Sequence, residues 1–149
     1  MMTLEFPKNY EENIALERWA QQRIPDATFG NSQCMAFFEK GVGIAAVVVF
    51  YNFRETDIEV AFAENPGHRW ARRDLINMVL RYPWTLGCHR QTVIVRKDNR
   101  TARNMAVRLG FKQEGKLRRA AKDGTDMFIY GLLEGEAIFE RKKRLKKAA

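Results

Sequence analysis

The sequence VIVRKDNRTARNMAVRLGFKQEG, residues 93–115, contains the clearest succession of structural signals in the chain. The apolar run Thr92–Val95 predicts a short strand, and Asn99 is a residue type that often caps the start of a helix. Gly110 stands where a glycine commonly ends one. Between these two residues, apolar side chains recur at helical spacing: Ala102, Met105, Ala106 and Leu109. The stretch therefore predicts a strand followed by an amphipathic helix.

Working outward toward the C-terminus, the sequence predicts a hairpin and then a helix. The hairpin comprises strands over Lys116–Ala121 and Met127–Leu133, joined by a turn at Lys122-Asp123-Gly124. Residues 134–147 predict a closing helix, and residues 134–149 carry much of the positive charge. This basic C-terminal helix or tail is expected to be a solvated terminus.

Toward the N-terminus the signals are weaker but ordered. Residues 10–23 predict a helix, and the β-rich runs Cys34–Phe38 and Ile44–Tyr51 predict a hairpin. In Asp57–Ala63 apolar and acidic residues alternate, which predicts a strand with Asp57 and Glu59 on one face. A further helix is predicted to begin near Trp70, and Pro83 is expected to kink or end it.

These elements indicate a single domain over residues 1–149. A strand–helix–strand passage in the middle of the chain implies a mixed sheet with helices packed on its faces, so the predicted class is α/β or α+β. The length, 46% hydrophobic content and 30% charged content are typical of a globular domain.

Composition also makes several kinds of site and location unfavourable. No apolar run approaches the roughly 18 residues that span a bilayer, and residues 1–8 lack the order of a signal peptide. Two cysteines and two histidines form neither a disulfide framework nor a metal site. We therefore expect no bound metal, no membrane contact, and a reducing, cytoplasmic location with Cys34 and Cys88 as buried thiols.

The turn and helix start at residues 64–73 are a candidate anion site. A helix that follows a glycine-bearing turn offers unpaired N–H groups and the positive end of its dipole to a phosphate. Gly67 lies at this junction, and Arg69, Arg72 and Arg73 add positive charge. An ordinary solvated helix start has the same features, so this alternative stays open.

Roughly residues 57–133 resemble the GCN5-related N-acetyltransferases (GNAT), whereas the first fifty or so residues match only in the order of their elements. The matching features are the strand ending in Asn99, the Asn-x-x-Ala start of the helix at Asn99–Ala102, and the Leu-Gly-Phe-x-x-x-Gly pattern at Leu109–Gly115. The pattern continues through Lys116–Ala120 to Tyr130-Gly131 and is most similar to the ribosomal-protein N-terminal acetyltransferases. The resemblance implies a three-layer sandwich, in which a mixed central sheet has helices on both faces.

The resemblance also implies acetyl-CoA as the acetyl donor. By position, residues 66–71 correspond to the family's phosphate-binding loop, but Pro66 and Arg69 depart from its usual Gln/Arg and second glycine. The resemblance implies three kinds of cofactor contact. Backbone groups of the predicted central strand contact the pantetheine arm, and the loop amides with the neighbouring arginines contact the pyrophosphate. The Asn99 side chain contacts the cofactor near the pantetheine arm, although Asn99 would equally suit the role of a plain helix cap. These residues are Val60, Ala61, Phe62, Ala63, Gly67, His68, Arg69, Trp70, Ala71, Arg72 and Asn99.

The resemblance further implies a general base, because the attacking amine must lose a proton. Glu59 is the first candidate and Asp57 the second, although a charged residue on a wet strand face would look the same. The tyrosine that often serves as general acid in the family corresponds to Ala106. Tyr130, Tyr82 and water therefore remain equal alternatives as proton donor.

Two functions follow from these observations. The first is transfer of an acetyl group from acetyl-CoA to a primary amine, which is a protein N-terminus, a lysine or a small amine. The alternative is a GNAT-fold module without turnover that binds nucleic acid or an acidic protein. The observations in favour of this alternative are the altered phosphate loop, the missing tyrosine and the basic tail. Acetyl transfer is nevertheless the preferred function, because the pattern of residues 99–115 resembles that of the acetyltransferases.

Overall fold

The computed structural model describes residues 1–24, 26–67, 72–138 and 140. Within them, strands and helices follow one another in the order that the sequence predicts, with one additional strand at the N-terminus. In chain order they are β1 (Met2–Glu5), α1 (Tyr10–Gln21), β2 (Ser32–Glu39), β3 (Gly43–Tyr51), β4 (Asp57–Glu64), α2 (Arg73–Thr85), β5 (Arg90–Arg96), α3 (Arg100–Leu109), β6 (Lys112–Leu117) and β7 (Met127–Leu133).

The seven strands form a mixed sheet in the order β1-β2-β3-β4-β5-β7-β6. Strands β4 and β5 are parallel, and α2 provides the crossover that a parallel connection requires. The pairs β1–β2, β2–β3, β5–β7 and β6–β7 are antiparallel. The predicted α+β class with a mixed central sheet is confirmed.

The first of two compact units comprises Met1–Phe53 and Val60–Arg81. Helix α1 begins after Asn9, whose side-chain oxygen accepts a hydrogen bond of 2.9 Å from the Glu12 amide. The helix packs against β2 and β3. The buried core cluster of this unit contains Ala20, Phe29, Cys34, Val47, Val49 and Ala63. Burial of these apolar side chains is the main favourable contribution to the stability of the unit.

The second unit comprises Arg54–Glu59 and the described residues from Tyr82 onward. Helix α3 packs against β5 and β6. Its two ends are closed as the sequence predicts: the Asn99 side chain accepts a hydrogen bond from the Ala102 amide, and Gly110 has φ +113°. Phe111 follows directly and is buried. The local signals of residues 93–115 are therefore confirmed.

Strand β6 lies four residues earlier than predicted, at Lys112–Leu117 instead of Lys116–Ala121. Burial of Phe111 immediately after the helix leads the chain straight into the sheet. The sequence of β6, KQEGKL, is mostly exposed because β6 is an edge strand of the sheet. It therefore lacks the apolar alternation by which strands are identified in a sequence. Residues 118–126 form a loop instead.

The structure differs from the sequence-based expectation at α2 and at both ends of the chain. Pro83 does not end α2, because the helix continues to Thr85. Strand β1 was not predicted. It pairs with β2 so that Met2 lies opposite Glu39 and Glu5 lies opposite Ala36. The predicted closing helix does not begin at Glu134, which lies in a turn, and residues 139 and 141–149 of the basic tail lie outside the described residues.

Both cysteines are buried free thiols, as predicted. Burial raises the pKa of Cys34 to about 11 and also raises the pKa of Cys88. Among the described residues, none of the helices has the length and apolar character needed to cross a membrane. The same residues contain no group of three or more His, Cys, Asp or Glu side chains that could hold a metal ion. The cytoplasmic location stays a prediction.

Candidate functional site

Asp57, the first residue of β4, is the centre of a charged network in the second unit. Its carboxylate lies 2.5 Å from Arg54 Nη2 and 3.4 Å from Arg90 Nε, and it accepts a hydrogen bond of 2.9 Å from the Thr92 hydroxyl. Arg90 also donates to Thr92 Oγ1 at 3.0 and 3.1 Å. The parallel register, which places Asp57 beside Arg90, explains why these side chains meet.

The network extends across β7 to β6. Arg90 Nη2 lies 2.8 Å from Glu114 Oε1, and its Nη1 donates to Oε2 at 3.4 Å. The hydrogen bond to Glu114 is the main cause that raises the pKa of Arg90. Since the guanidinium group contacts both carboxylates and Thr92, Arg90 links side chains of three strands, β4, β5 and β6.

Glu59 lies two residues beyond Asp57, on the same face of β4, beside Thr92 in the register. It is only 6% exposed, so the alternative of a wet strand face is wrong. The pKa of Arg54 is raised chiefly by its hydrogen bond to Asp57, and the negative charges of Asp57 and Glu59 add to this effect. Glu59 is thus a buried carboxylate within the electrostatic reach of the network.

The two predicted candidates for general base therefore differ in their surroundings. Both oxygens of Asp57 are engaged by cationic or hydroxyl groups, which favours the role of holding Arg54, Arg90 and Thr92 in place. Glu59 lies on the buried central part of the strand. A buried carboxylate can accept a proton from an amine that comes within hydrogen-bond distance of it.

The predicted phosphate loop, residues 66–71, is described only at Pro66 and Gly67. Gly67 has φ +86°, a left-handed conformation that glycine adopts easily, and no atom of the described residues lies within 4 Å of the position where a Cβ would stand. His68, Arg69, Trp70 and Ala71 lie outside the described residues. None of the described residues therefore blocks the close approach of a phosphate to the backbone of Gly67.

Arg72, which directly follows the loop, binds two residues of its own chain, Asp74 and Met2. Its guanidinium group donates two hydrogen bonds to the Asp74 carboxylate, at 2.7 and 3.1 Å, and one of 3.3 Å to the Met2 carbonyl. The bond from Arg72 is the main cause that lowers the pKa of Asp74, and the amides of Asp74 and Leu75 contribute. An internal carboxylate thus already contacts the positive start of α2.

The central strand residues Val60–Ala63 belong to the first unit. Val60 and Ala63 are buried, whereas Ala61 and Phe62 are partly buried. Ala63 belongs to the core cluster, and Ala61 packs against it. The side chains of this segment therefore contribute to packing. The predicted cofactor contacts use its backbone groups, which the structure leaves untested.

Asn99 and the tyrosine candidates have distinct environments. Asn99 is the N-cap of α3, and this confirmed role is compatible with a cofactor contact. Tyr130 is 2% exposed, and its hydroxyl accepts a hydrogen bond of 3.2 Å from Arg103 Nε. Burial raises the pKa of Tyr82. Ala106, in the place of the family's tyrosine, is buried.

Sequence reasoning missed Arg54, Arg90, Thr92 and Glu114. One signal was present, because Arg90, Gln91 and Thr92 are three consecutive polar residues at the start of a strand whose centre, Val93–Val95, is apolar. Their partners could not be found in this way, since Asp57 and Glu114 lie more than twenty residues away in sequence.

No family model matches the chain, and no curated protein matches its sequence. Solved structures do match. A protein from Chromobacterium violaceum that is assigned to the GNAT family of acetyltransferases is 18% identical, with a TM-score of 0.68. The alignment covers 91% of this chain and 84% of that protein. The yncA protein of Salmonella typhimurium, assigned as an acetyltransferase and solved with acetyl-CoA, is 16% identical with a TM-score of 0.69, covering 89% and 93%.

A third match is the ribosomal-protein-S18-alanine N-acetyltransferase from Escherichia coli. It is 17% identical with a TM-score of 0.65, and the alignment covers 89% of this chain and 94% of the other. The chain therefore has the fold of the GNAT acetyltransferases, and the predicted resemblance is confirmed at the level of the fold. These matches do not single out one branch of the family.

Proposed function

We propose that this chain is an N-acetyltransferase that transfers the acetyl group of acetyl-CoA to a primary amine. The observation that carries the proposal is the buried carboxylate of Glu59 on the central strand of a GNAT fold, beside the network of Asp57, Thr92 and Arg90. The matched structures described above are acetyltransferases, which supports the same activity.

Acetyl-CoA would supply an activated thioester. Backbone groups of Val60–Ala63 are proposed to pair with the pantetheine arm, and Gly67 with the following residues through Arg72 to hold the pyrophosphate. Because Arg72 is bound to Asp74, it would have to exchange this carboxylate for a phosphate oxygen. The Asn99 side chain would add a hydrogen bond near the pantetheine arm.

Glu59 would act on the acceptor. Its carboxylate takes a proton from the ammonium group, and the neutral amine then forms a bond to the carbonyl carbon while the carbon–sulfur bond breaks. The leaving sulfur takes up one proton, for which Tyr130, Tyr82 and water remain the candidate donors. The nitrogen loses its second proton as the amide forms, and this proton replaces the one that the donor has passed to the sulfur. Asp57 would position Arg54, Arg90 and Thr92 and would not itself accept the proton.

The alternative of a module without turnover is not favoured. The altered loop residue Arg69 lies outside the described residues, whereas the candidate base Glu59 is present and buried. A protein N-terminus, a lysine and a small amine all remain proposed acceptors, since each presents the same primary amine.

Calorimetry and steady-state kinetics test the proposal. We expect acetyl-CoA to bind, and Glu59→Gln to lower kcat at neutral pH by about 10²- to 10⁴-fold with little change in the Kd for acetyl-CoA. The loss should shrink at higher pH, where more of the amine is neutral without help. Glu11→Gln, on the exposed face of α1, is the control. No binding at millimolar acetyl-CoA would exclude the function, and an unchanged kcat would exclude Glu59 as base.

A further inference from the structure

A polar pocket lies between α3 and the strands β6 and β7. Its volume is about 420 Å³, a size that suits a small molecule. Four of its lining residues recur at helical spacing and share one face of α3, and the other two belong to the sheet. The lining residues are Arg100, Arg103, Asn104, Val107, Gln113 and Tyr130. We call this site the α3–β6 pocket.

The inner wall of the pocket is formed by two side chains that hold each other in place. Tyr130 is almost completely buried, and its hydroxyl oxygen accepts a hydrogen bond of 3.2 Å from Arg103 Nε. Arg103 Nη1 also donates to the Lys97 carbonyl at 2.8 Å, and the guanidinium carbon lies 4.4 Å from the centre of the Phe128 ring. Because the guanidinium group is already held in position, little conformational freedom is lost when a ligand binds to it.

Both cations of the pocket lack an anionic partner in the part of the chain that the structure describes. The partners of Arg103 are a hydroxyl, a carbonyl and an aromatic ring, none of which is negatively charged. Arg100 forms no ion pair with the described residues, and the first turn of α3 contains no acidic side chain. By contrast, Arg54, Arg90 and Arg96 each contact a carboxylate. A partly buried cation costs free energy unless an anion pairs with it, so the pocket favours an anionic ligand.

The hydroxyl group of Tyr130 can supply a further hydrogen bond to such a ligand. Its oxygen accepts a hydrogen bond from Arg103, whereas none of the described residues accepts its proton. Buried hydroxyl groups normally use their donor as well as their acceptor capacity. Because Tyr130 lines the pocket, an oxyanion bound there can accept this proton.

The number of donor groups favours a phosphate group over a carboxylate. Arg100, Arg103 and the Tyr130 hydroxyl are three separate donors around one pocket. A phosphate group presents three strong acceptor oxygens, whereas a carboxylate presents two. The positive end of the α3 dipole adds to the attraction, although it would act on either anion.

The pocket lies on the opposite face of the sheet from the candidate base. Tyr130 pairs with Val93 of β5, whereas Glu59 lies beside Thr92, and successive residues of a strand point to opposite faces. Gln113 belongs to β6, which β5 and β7 separate from β4 in the sheet. The pocket is therefore not part of the charged network around Glu59.

We infer that the α3–β6 pocket binds a phosphate group, either of free phosphate or of a small phosphomonoester, at a site separate from that of acetyl-CoA. The two arginines pair with phosphate oxygens, and the Tyr130 hydroxyl donates to another. The side-chain amides of Asn104 and Gln113 are available to polar groups of the organic part of an ester. This inference goes beyond the proposed function and does not require acetyl transfer.

The first experiment is an NMR titration with inorganic phosphate and with glycerol 3-phosphate. The Nε–H signal of Arg103 and the side-chain amide signals of Asn104 and Gln113 report on the pocket directly. We expect saturable shifts with both probes and a lower Kd for the ester, whose organic part adds contacts. The reverse order would support the inference with free phosphate as the ligand. The same shifts with sodium chloride at equal ionic strength, or tighter binding of succinate than of either phosphate probe, would overturn it.

The second experiment repeats the titration with variants of α3. Arg100 is exposed, so Arg100→Gln should leave the fold intact and raise the Kd for glycerol 3-phosphate about three- to tenfold, because exposed charge pairs have modest energies. Arg108→Gln removes the same charge from an exposed position of the same helix that does not line the pocket, and should leave the Kd nearly unchanged. Equal Kd values in the two variants would overturn the inference.

The third experiment separates the pocket from the cofactor site. Arg100 directly follows Asn99, which the proposed function places near acetyl-CoA, so the phosphate titration is repeated with a saturating concentration of acetyl-CoA. We expect the shifts at Arg103, Asn104 and Gln113 to persist. Their loss would show that the pocket belongs to the cofactor site and would overturn the inference while leaving the proposed function intact. Phosphate shifts in a protein that does not bind acetyl-CoA would support the inference and exclude the proposed function.

Discussion

The carboxylate of Glu114 lies over Gly131, where a side chain on β7 would otherwise stand. A methyl group added to Gly131 would come within 2.5 Å of Glu114 Oε2. Since β7 lies between β6 and β5, the missing side chain is what allows Glu114 to reach across to Arg90. A glycine in a central strand thus serves a contact between its two neighbours.

Substitution of Gly131 by alanine should break this contact. Glu114 and Arg90 are both partly exposed, so we expect Gly131→Ala to lower the free energy of unfolding by only about 0.5–1 kcal/mol. The same substitution in a Glu114→Ala background should cost close to nothing, because the clash and the ion pair are both gone. Urea unfolding of the four proteins measures the difference, and equal losses in both backgrounds would contradict this account.

Gly110 should tolerate alanine far less well than Gly131 does. Its Cβ would clash with the carbonyl oxygen of Glu136 and lie 3.2 Å from Ala137 Cα, and backbone atoms cannot move aside as a glutamate side chain can. The positive φ adds about 1–2 kcal/mol, so Gly110→Ala should destabilise by about 2–5 kcal/mol.

Gly124 is the matched control for Gly110. It also has a positive φ, but among the described residues no atom lies within 4 Å of the position of its Cβ. Gly124→Ala should therefore cost only the conformational part, about 1–2 kcal/mol. Equal losses at the two glycines would show that the contact with Glu136 contributes nothing.

Local signals explain what the sequence could predict. Asn99 and Gly110 mark the ends of α3 through their own backbone and side-chain chemistry, and both predictions are confirmed. The six-residue strand β6 has no such signal, because an exposed strand does not need apolar alternation. The basic segment that follows it resembled a strand with a turn and is in fact a loop.

The candidate site was only partly predictable, for a different reason. Glu59 could be named because the family resemblance implies a glutamate on the strand before the phosphate loop, and Glu59 lies on that predicted strand. The partners of Asp57 are determined by how β4 and β5 pair, and Glu114 joins them only because β7 lies between β5 and β6. Such long-range register is a property of the folded chain, which single-sequence patterns do not contain.

Two substitutions of Asn99 can distinguish its role as a helix cap from a contact with acetyl-CoA. Asn99→Ala removes the oxygen that accepts the Ala102 amide and should lower the free energy of unfolding by about 1 kcal/mol, whereas Asn99→Ser keeps a capping oxygen and should cost less. If the amide also contacts acetyl-CoA, both variants should raise its Kd in calorimetry. An unchanged Kd in Asn99→Ser would limit Asn99 to the role of a cap.

Cys34 should make stability depend on pH in the alkaline range. Burial raises the pKa of this thiol from 9.0 to about 11, against an opposing hydrogen bond with Ser32. Between these values the unfolded chain has lost the proton and the folded chain retains it, so the unfolded state binds fewer protons and stability falls as pH rises. The difference in the free energy of unfolding between the native protein and Cys34→Ala, measured in urea, should therefore become smaller from pH 8.5 to pH 11. A constant difference would contradict the raised pKa, since Cys88 titrates in both proteins.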